Sequence, residues 1–267
     1  MIHLRSSEEI DAIARGGAII GELLEAVRAE VRPGVSTLAL DRFCEDFICS
    51  HDGATPAFKG LYGFPGSVCI SLNEEVVHGI PSKRRRLKAG DIVSIDVGVR
   101  LDGWCSDSAW TYPVGEVSGE AERLLEVTER ALWKALDAAV PGKHVGDIGA
   151  AVMASVGERP YGIIRDLVGH GVGREVHEEP QVPNVGRVGH GPLLRTGMVV
   201  AIEPMLSAGT ADIRTLEDGW TVITADRALS AHFEHTVAVT DAGPRVLTSA
   251  AHPVDAGAGP GVPPGSA

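Results

Sequence analysis

An α+β fold of two similar halves is predicted by three observations in the sequence. Two amphipathic helical stretches followed by several strand-like stretches occur twice along the chain. The pairs Pro33-Gly34 and Pro141-Gly142 hold equivalent places 108 positions apart, and Asp96 and Glu203 are 107 apart. Acidic residues also sit inside apolar, β-branched runs in both halves, which places the halves around one central site. The expected organisation is a single domain over 1–249, with halves at about 5–115 and 116–249, and a tail over 250–267.

Each element has its own signal. Ser6 and Glu9 form a capping box ahead of Ile10, Ile13, Ile20, Leu24 and Val27, so a first helix starts there and stops before Pro33. A second begins near Ser36-Thr37, buries Leu40, Phe43, Phe47 and Ile48, and stops at Asp52-Gly53. Cys44 and Cys49 lie on it, and core packing accounts for both. Strands are expected from Ser67 to Leu72 and from Glu75 to Gly79.

The run from Ser94 to Asp107 then carries Asp102-Gly103 between two strand-like stretches, a strong hairpin signal. With that turn, Leu101 faces Trp104, Val99 faces Ser106 and Gly98 faces Asp107. Asp96 lies one diagonal step from Asp107 on the same face, because side chains alternate along a strand. Two buried like charges repel, so a positive group is expected between them. In the second half a helix from about Ser118 carries Leu124, Val127, Ala131 and Ala135, a shorter one starts at Val145, and strands follow. The Ala-, Gly- and Pro-rich tail has no periodic apolar face and is expected to be disordered.

Composition narrows the function classes. A net charge of −12 over 267 residues argues against general nucleic-acid binding. The local exception is Lys83, Arg84, Arg85, Arg86 and Lys88, either a solvated loop or a contact for an anionic surface such as ribosomal RNA. No run reaches the length of a membrane span and the first residues lack a signal-peptide pattern, so a cytoplasmic location is expected. Four cysteines show no metal-finger spacing and read as reduced thiols.

Further segments join the hairpin. His78 stands at a strand-to-turn junction, His170 and His177 lie in a glycine-rich stretch of irregular chain or short strands, and Glu203 and Glu234 sit on apolar strands. Glu178, Glu179 and His235 read as ordinary core or surface residues. Four carboxylates (Asp96, Asp107, Glu203, Glu234) with an imidazole make a hard, oxygen-rich site, suited to Mn, Fe or Co more than to thiolate-bound zinc. Their four charges can neutralise two divalent ions, which lower the pKa of a bound water from about 15.7 to roughly 7.

The chain resembles type I methionine aminopeptidase, within the pita-bread (creatinase-like) fold, over about residues 4 to 248. The motifs that carry the likeness are Ser71 through Pro81, the Asp96/Asp107 hairpin, Gly169 through Pro180, Ile202-Glu203-Pro204-Met205 and Glu217-Asp218-Gly219-Trp220-Thr221. The resemblance implies that Asp96, Asp107, His170, Glu203 and Glu234 bind two divalent ions (Co, Mn, Fe or Zn), with Asp107 and Glu234 bridging. It further implies that Glu203 is a general base, that His78 contacts the scissile amide, and that His177 polarises the carbonyl. The implied reaction removes the initiator methionine from newly made chains with a small second residue. The implied partners are nascent N-termini, the expected state is a monomer, and the short N-terminus looks bacterial.

Phe58, Phe64, Cys69 and Trp220 are the candidate walls of the methionine pocket. This chain departs from its relatives at Val176, where an aromatic is usual, at Phe58 and Leu61 along the pocket loop, and at Gly98, often a Thr. The loss of aromatic bulk at Val176 and Leu61 points to a somewhat wider pocket. The rival readings are an Xaa-Pro aminopeptidase or prolidase of the same fold, and a non-catalytic binding protein on the same scaffold.

Overall fold

Residues 1–249 are described by the computed structural model; the tail expected to be disordered, 250–267, lies outside the described residues. Helix α1 (Ser7–Arg28) opens on the expected capping box, in which the Glu9 N–H donates to Ser6 Oγ at 3.3 Å and the Ser6 N–H to Glu9 Oε2 at 3.0 Å. Its inner face buries Ile13, Ile20, Leu23 and Val27. Helix α2 (Thr37–Cys49) is capped by Ser36 and buries Leu40, Cys44 and Ile48. Two expectations for α2 need correction. Cys49 is exposed, because it stands one residue, about 100° of turn, beyond Ile48 on the buried face. The helix also ends before Asp52-Gly53, since the Ser50 hydroxyl donates to the Phe47 carbonyl at 2.7 Å and closes the last turn. Phe43 and Phe47 are half-buried at the rim of the core.

The first half continues with β1 (Ala54–Pro56), a 3-10 turn at Leu61–Gly63, β2 (Cys69–Leu72), β3 (Glu75–Val77), β4 (Ile92–Leu101) and β5 (Trp104–Pro113). Strand β4 is central, with β5 on one edge and β1 and β2 on the other. The hairpin register is the expected one: Leu101 pairs with Trp104, Val99 with Ser106 and Gly98 with Asp107. Ile70, Val93, Ile95, Val97 and Val99 pack with the apolar faces of α1 and α2.

The second half repeats the order with α3 (Gly119–Asp137), capped by Ser118, and α4 (Val145–Val156), followed by ten strands. These are β6 (Gly162–Ile163), β7 (Gly169–Gly171), β8 (Glu178–Val182), β9 (Val199–Ile202), β10 (Met205–Ser207), β11 (Ile213–Thr215), β12 (Val222–Thr224), β13 (Ser230–His232), β14 (His235–Thr240) and β15 (Gly243–Val246). They form sheets ordered β15-β14-β9-β7-β8 and β13-β10-β6, while β11 and β12 join β3 of the first half.

Glu203 and Glu234 are not inside strands. Each sits in a two-residue break, β9 to β10 and β13 to β14, and the breaks face each other because Ile202 pairs with His235 and Met205 with His232. Pro204 has no N–H to give a ladder, which fits the interruption on that side.

A seam joins the halves. The Glu234 N–H donates to the Ala109 carbonyl at 2.9 Å, and the Ser108 hydroxyl donates to the Glu234 carbonyl at 2.5 Å. Thr236 Oγ1 donates to the Asp107 carbonyl at 2.7 Å and accepts from its N–H at 3.1 Å. Thr111 Oγ1 does the same for His232, at 2.7 and 2.9 Å. These buried bonds hold the carboxylates of the two halves in a fixed relation. Among the described residues no helix is long and apolar enough to cross a membrane.

Candidate metal centre

The hairpin brings Asp96 and Asp107 to one face, and the seam sets Glu234 beside them. His170 comes from β7. Both flanking glycines are required there: a Cβ on Gly169 would lie 2.3 Å from the Ala201 carbonyl oxygen, and one on Gly171 2.2 Å from that of Glu179. His170 Nδ1 is 3.0 Å from the Gly171 carbonyl oxygen. A carbonyl only accepts, so Nδ1 carries the proton and Nε2 presents a lone pair. That Nε2 lies 3.7 Å from Asp107 Oδ2 and 3.5 Å from Glu203 Oε1.

Donor atoms of Asp107, His170 and Glu234, all buried, lie within 4.8 Å of one another. Asp96 Oδ1, Asp107 Oδ1 and Glu234 Oε1 are buried without a hydrogen-bond partner among the described residues. Burial pushes the Asp96 carboxyl up to about 7. Burial, and then the neighbouring carboxylates, hold Asp107, Glu203 and Glu234 well above the ordinary carboxylate range. Four such groups cannot all ionise against one another without a cation. Unpartnered hard oxygens beside a free imidazole lone pair are the donor set of a divalent metal site.

The centre forms the floor of a cavity of about 250 Å³. Phe58, Phe64, Cys69 and Trp220, all expected from the sequence, line it, as do His78 and His177. Trp220 is aimed by Asp218, which accepts from the Trp220 N–H, the Thr221 N–H and the Thr221 hydroxyl at 2.8, 2.8 and 2.6 Å. Phe64 meets Trp220 edge-on at 5.2 Å between centroids, and His78 meets it from another side at 6.4 Å. Burial lowers the His78 pKa, so the ring is neutral at pH 7. His78 adopts φ 60°, a conformation few non-glycine residues take, at the turn after β3. His177 lies 4.5 Å from the His170 ring and is stacked by the exposed Tyr62 at 6.0 Å. Val176 is buried in the same apolar cluster as Phe58, Phe64 and Cys69.

Residues read as ordinary are so placed. Glu178 pairs with Arg5, and His235 Nδ1 bonds Thr248 Oγ1 at 2.8 Å. The basic stretch is only partly free: Arg85 pairs with Glu75, and Arg86 donates to the Gly34 carbonyl at 2.7 Å. Several site residues went unread in the sequence, among them Leu167 and Val168 of the cavity lining, Tyr62 and His232. Tyr62 carries no signal, whereas His232 stands two positions before Glu234 and so on its face of the chain. His232 Nε2 is 3.6 Å from Glu203 Oε2 and 3.9 Å from Glu234 Oε2.

The model of metallopeptidase family M24 matches residues 11–241. The chain belongs to this family. The M24 relatives include the methionine aminopeptidase of Clostridium perfringens, 51% identical over 93% of this chain and 99% of that protein. The crystal structure of methionine aminopeptidase from Thermotoga maritima superposes with a TM-score of 0.91 at 41% identity, covering 93% of this chain and 100% of that one. The prolidase from Pyrococcus horikoshii OT3 matches at a TM-score of 0.75 and 26% identity, over 94% of this chain but 64% of that one. The M24 chain described here therefore has the pita-bread fold these proteins share, and it is a metallopeptidase by family.

Proposed function

We propose that the chain is a type I methionine aminopeptidase, removing the initiator methionine from newly made proteins and peptides with a small second residue. The observation that carries this reading is the convergence of four carboxylates and the His170 Nε2 at the floor of a cavity walled by Phe58, Phe64, Cys69 and Trp220. The likeness to methionine aminopeptidases over nearly their whole length supports the substrate.

On this reading Asp96, Asp107, His170, Glu203 and Glu234 would hold two divalent ions, Mn, Fe, Co or Zn, and Asp107 and Glu234 would serve both. When bound, the ions supply Lewis acidity toward the scissile carbonyl and make water acidic enough to attack at neutral pH. Glu203 takes the proton of the attacking water. His78 is placed at the pocket wall to contact the scissile amide, and His177 to stabilise the tetrahedral oxygen. The aromatic walls suit an unbranched thioether. The same reading makes the protein a cytoplasmic monomer acting on nascent N-termini, with ribosomal RNA as the partner of the basic loop.

Metal analysis of the purified protein together with cleavage of Met-Ala-Ser tests the proposal. Metal-dependent release of free methionine is expected. Cleavage of Xaa-Pro substrates without preference for methionine would assign the prolidase alternative, and bound metal without peptidase activity the non-catalytic one.

A further inference from the structure

His232 is 1% exposed, lies against the metal centre, and has no hydrogen-bond partner at either ring nitrogen among the described residues. Its backbone is held on both sides by Thr111 Oγ1, and it pairs with Met205 across the break that carries Glu203. The ring is therefore aimed at the centre by a fixed main chain. Glu203 lies between two imidazoles: its Oε1 is 3.5 Å from His170 Nε2 and its Oε2 is 3.6 Å from His232 Nε2.

We propose that His232 is a positioning residue for Glu203, donating its Nε2–H to Glu203 Oε2 and so keeping Oε1 turned toward His170 and the metal. The inference rests on the assignment of Glu203 as metal ligand and general base. An ionised carboxylate only accepts, so the bond requires the proton on Nε2, the opposite tautomer to that of His170. A movement of roughly 0.6 Å brings the pair into ordinary N–H···O range. Direct ligation by His232 is the alternative, and its Nε2, 3.6 Å from Glu203 Oε2 and 3.9 Å from Glu234 Oε2, sits nearer to Glu203. A group that orients a metal-binding side chain typically changes affinity or activity by about 10–100-fold when removed.

The test uses the full chain with His232→Leu, His232→Gln and Glu203→Gln. Mn(II) affinity is measured by calorimetry, and kcat and KM on Met-Ala-Ser. His232→Leu is expected to weaken Mn(II) binding and lower kcat by about 10–100-fold with KM nearly unchanged. His232→Gln, whose amide also donates, is expected to recover most of both losses. Equal losses in the Leu and Gln variants mean that the ring only packs, and overturn the proposal. So does X-ray absorption of the Co(II) protein in which His232→Leu loses a metal–imidazole contact, since His232 is then a ligand. Wild-type values in His232→Leu with an inactive Glu203→Gln overturn the inference alone; an active Glu203→Gln overturns the role of Glu203 beneath it.

Discussion

The ring of Phe58 fills the space that a side chain at position 98 would take. A Cβ on Gly98 would lie 2.6 Å from Phe58 Cε1 and 3.0 Å from Ala57 Cβ. Phe58 on the pocket loop is thus accommodated by the lack of a side chain at position 98 on β4. Gly98→Thr alone is expected to displace the ring and destabilise the protein by about 1–3 kcal/mol, the usual effect of overpacking. Adding Phe58→Ala should recover part of that loss, because contacting sites are not additive. Urea denaturation of the three variants measures the coupling, and simple additivity would contradict the pairing.

Metal removal should expose the strain of four buried carboxyls. In the metal-free protein Asp96, raised to about 7, keeps a proton that the unfolded chain has lost above about 4. The native state then binds more protons, so this group's contribution makes stability fall as pH rises from about 4 to 7. The buried His170, His232 and His235, lowered to about 4, 3 and 4, act in the opposite sense below their ordinary value of 6.5. The clean quantity is therefore the difference between wild type and Asp96→Asn in EDTA. The variant should gain on wild type by up to about 1.4 kcal/mol per pH unit across that window. Saturating Mn(II) should stabilise wild type, by about 2.7 kcal/mol at one hundred times the dissociation constant. A difference independent of pH would show that Asp96 is not protonated in the metal-free fold.

Ligands and substrate contacts should separate in mutant kinetics. Asp107→Ala and Glu234→Ala are expected to lose both metal and activity, because the proposed reading has each of these carboxylates serve both ions. His78→Ala should keep its metal and lose kcat, since His78 stands in the pocket wall against Trp220. Full turnover with two ions in Asp107→Ala would remove the bridging assignment, and metal loss in His78→Ala would make His78 a ligand.

The hairpin was legible because one dipeptide set the register and alternation then set the face of Asp96 and Asp107. Helix starts were legible for the same local reason, Ser6, Ser36 and Ser118 each capping one. The breaks at Glu203 and Glu234 were not, since they arise where two strands bend together, and only Pro204 marks one of them. Long-range polar bonds were equally hidden. Nothing local says that Thr111 holds His232 or that Arg85 is engaged by Glu75.

That ion pair alters how the basic loop must be tested. Arg85→Glu would place two acids together and disturb β3, so lost binding in that variant says nothing about RNA. Lys83, Arg84 and Lys88 are exposed. Changing these three to Glu is expected to abolish salt-sensitive cosedimentation with ribosomes while leaving Met-Ala-Ser cleavage intact. Equal pelleting of wild type and variant retires the ribosome proposal.

Substrate preference follows from the walls of the cavity. Phe58, Phe64, Cys69 and Trp220 offer apolar surface to the first side chain, and Leu61 and Val176 beside them are aliphatic rather than aromatic. A looser pocket weakens discrimination among apolar first residues, because one methylene is worth only about 1–3 kcal/mol. Charged or polar first residues remain excluded, since desolvating an unpartnered polar group costs roughly 2–7 kcal/mol. Norleucine should therefore be cleaved within about tenfold of methionine, and glutamine or lysine hardly at all. The second residue must fit between the metal centre and His78, with His177 and Tyr62 closing the other side. Small second residues are favoured by that crowding, and a β-branched one is disfavoured. Rates on Met-Ala and Met-Ile peptides decide the matter: fast cleavage of Met-Ile would show that the crowding at His78 does not select the second residue.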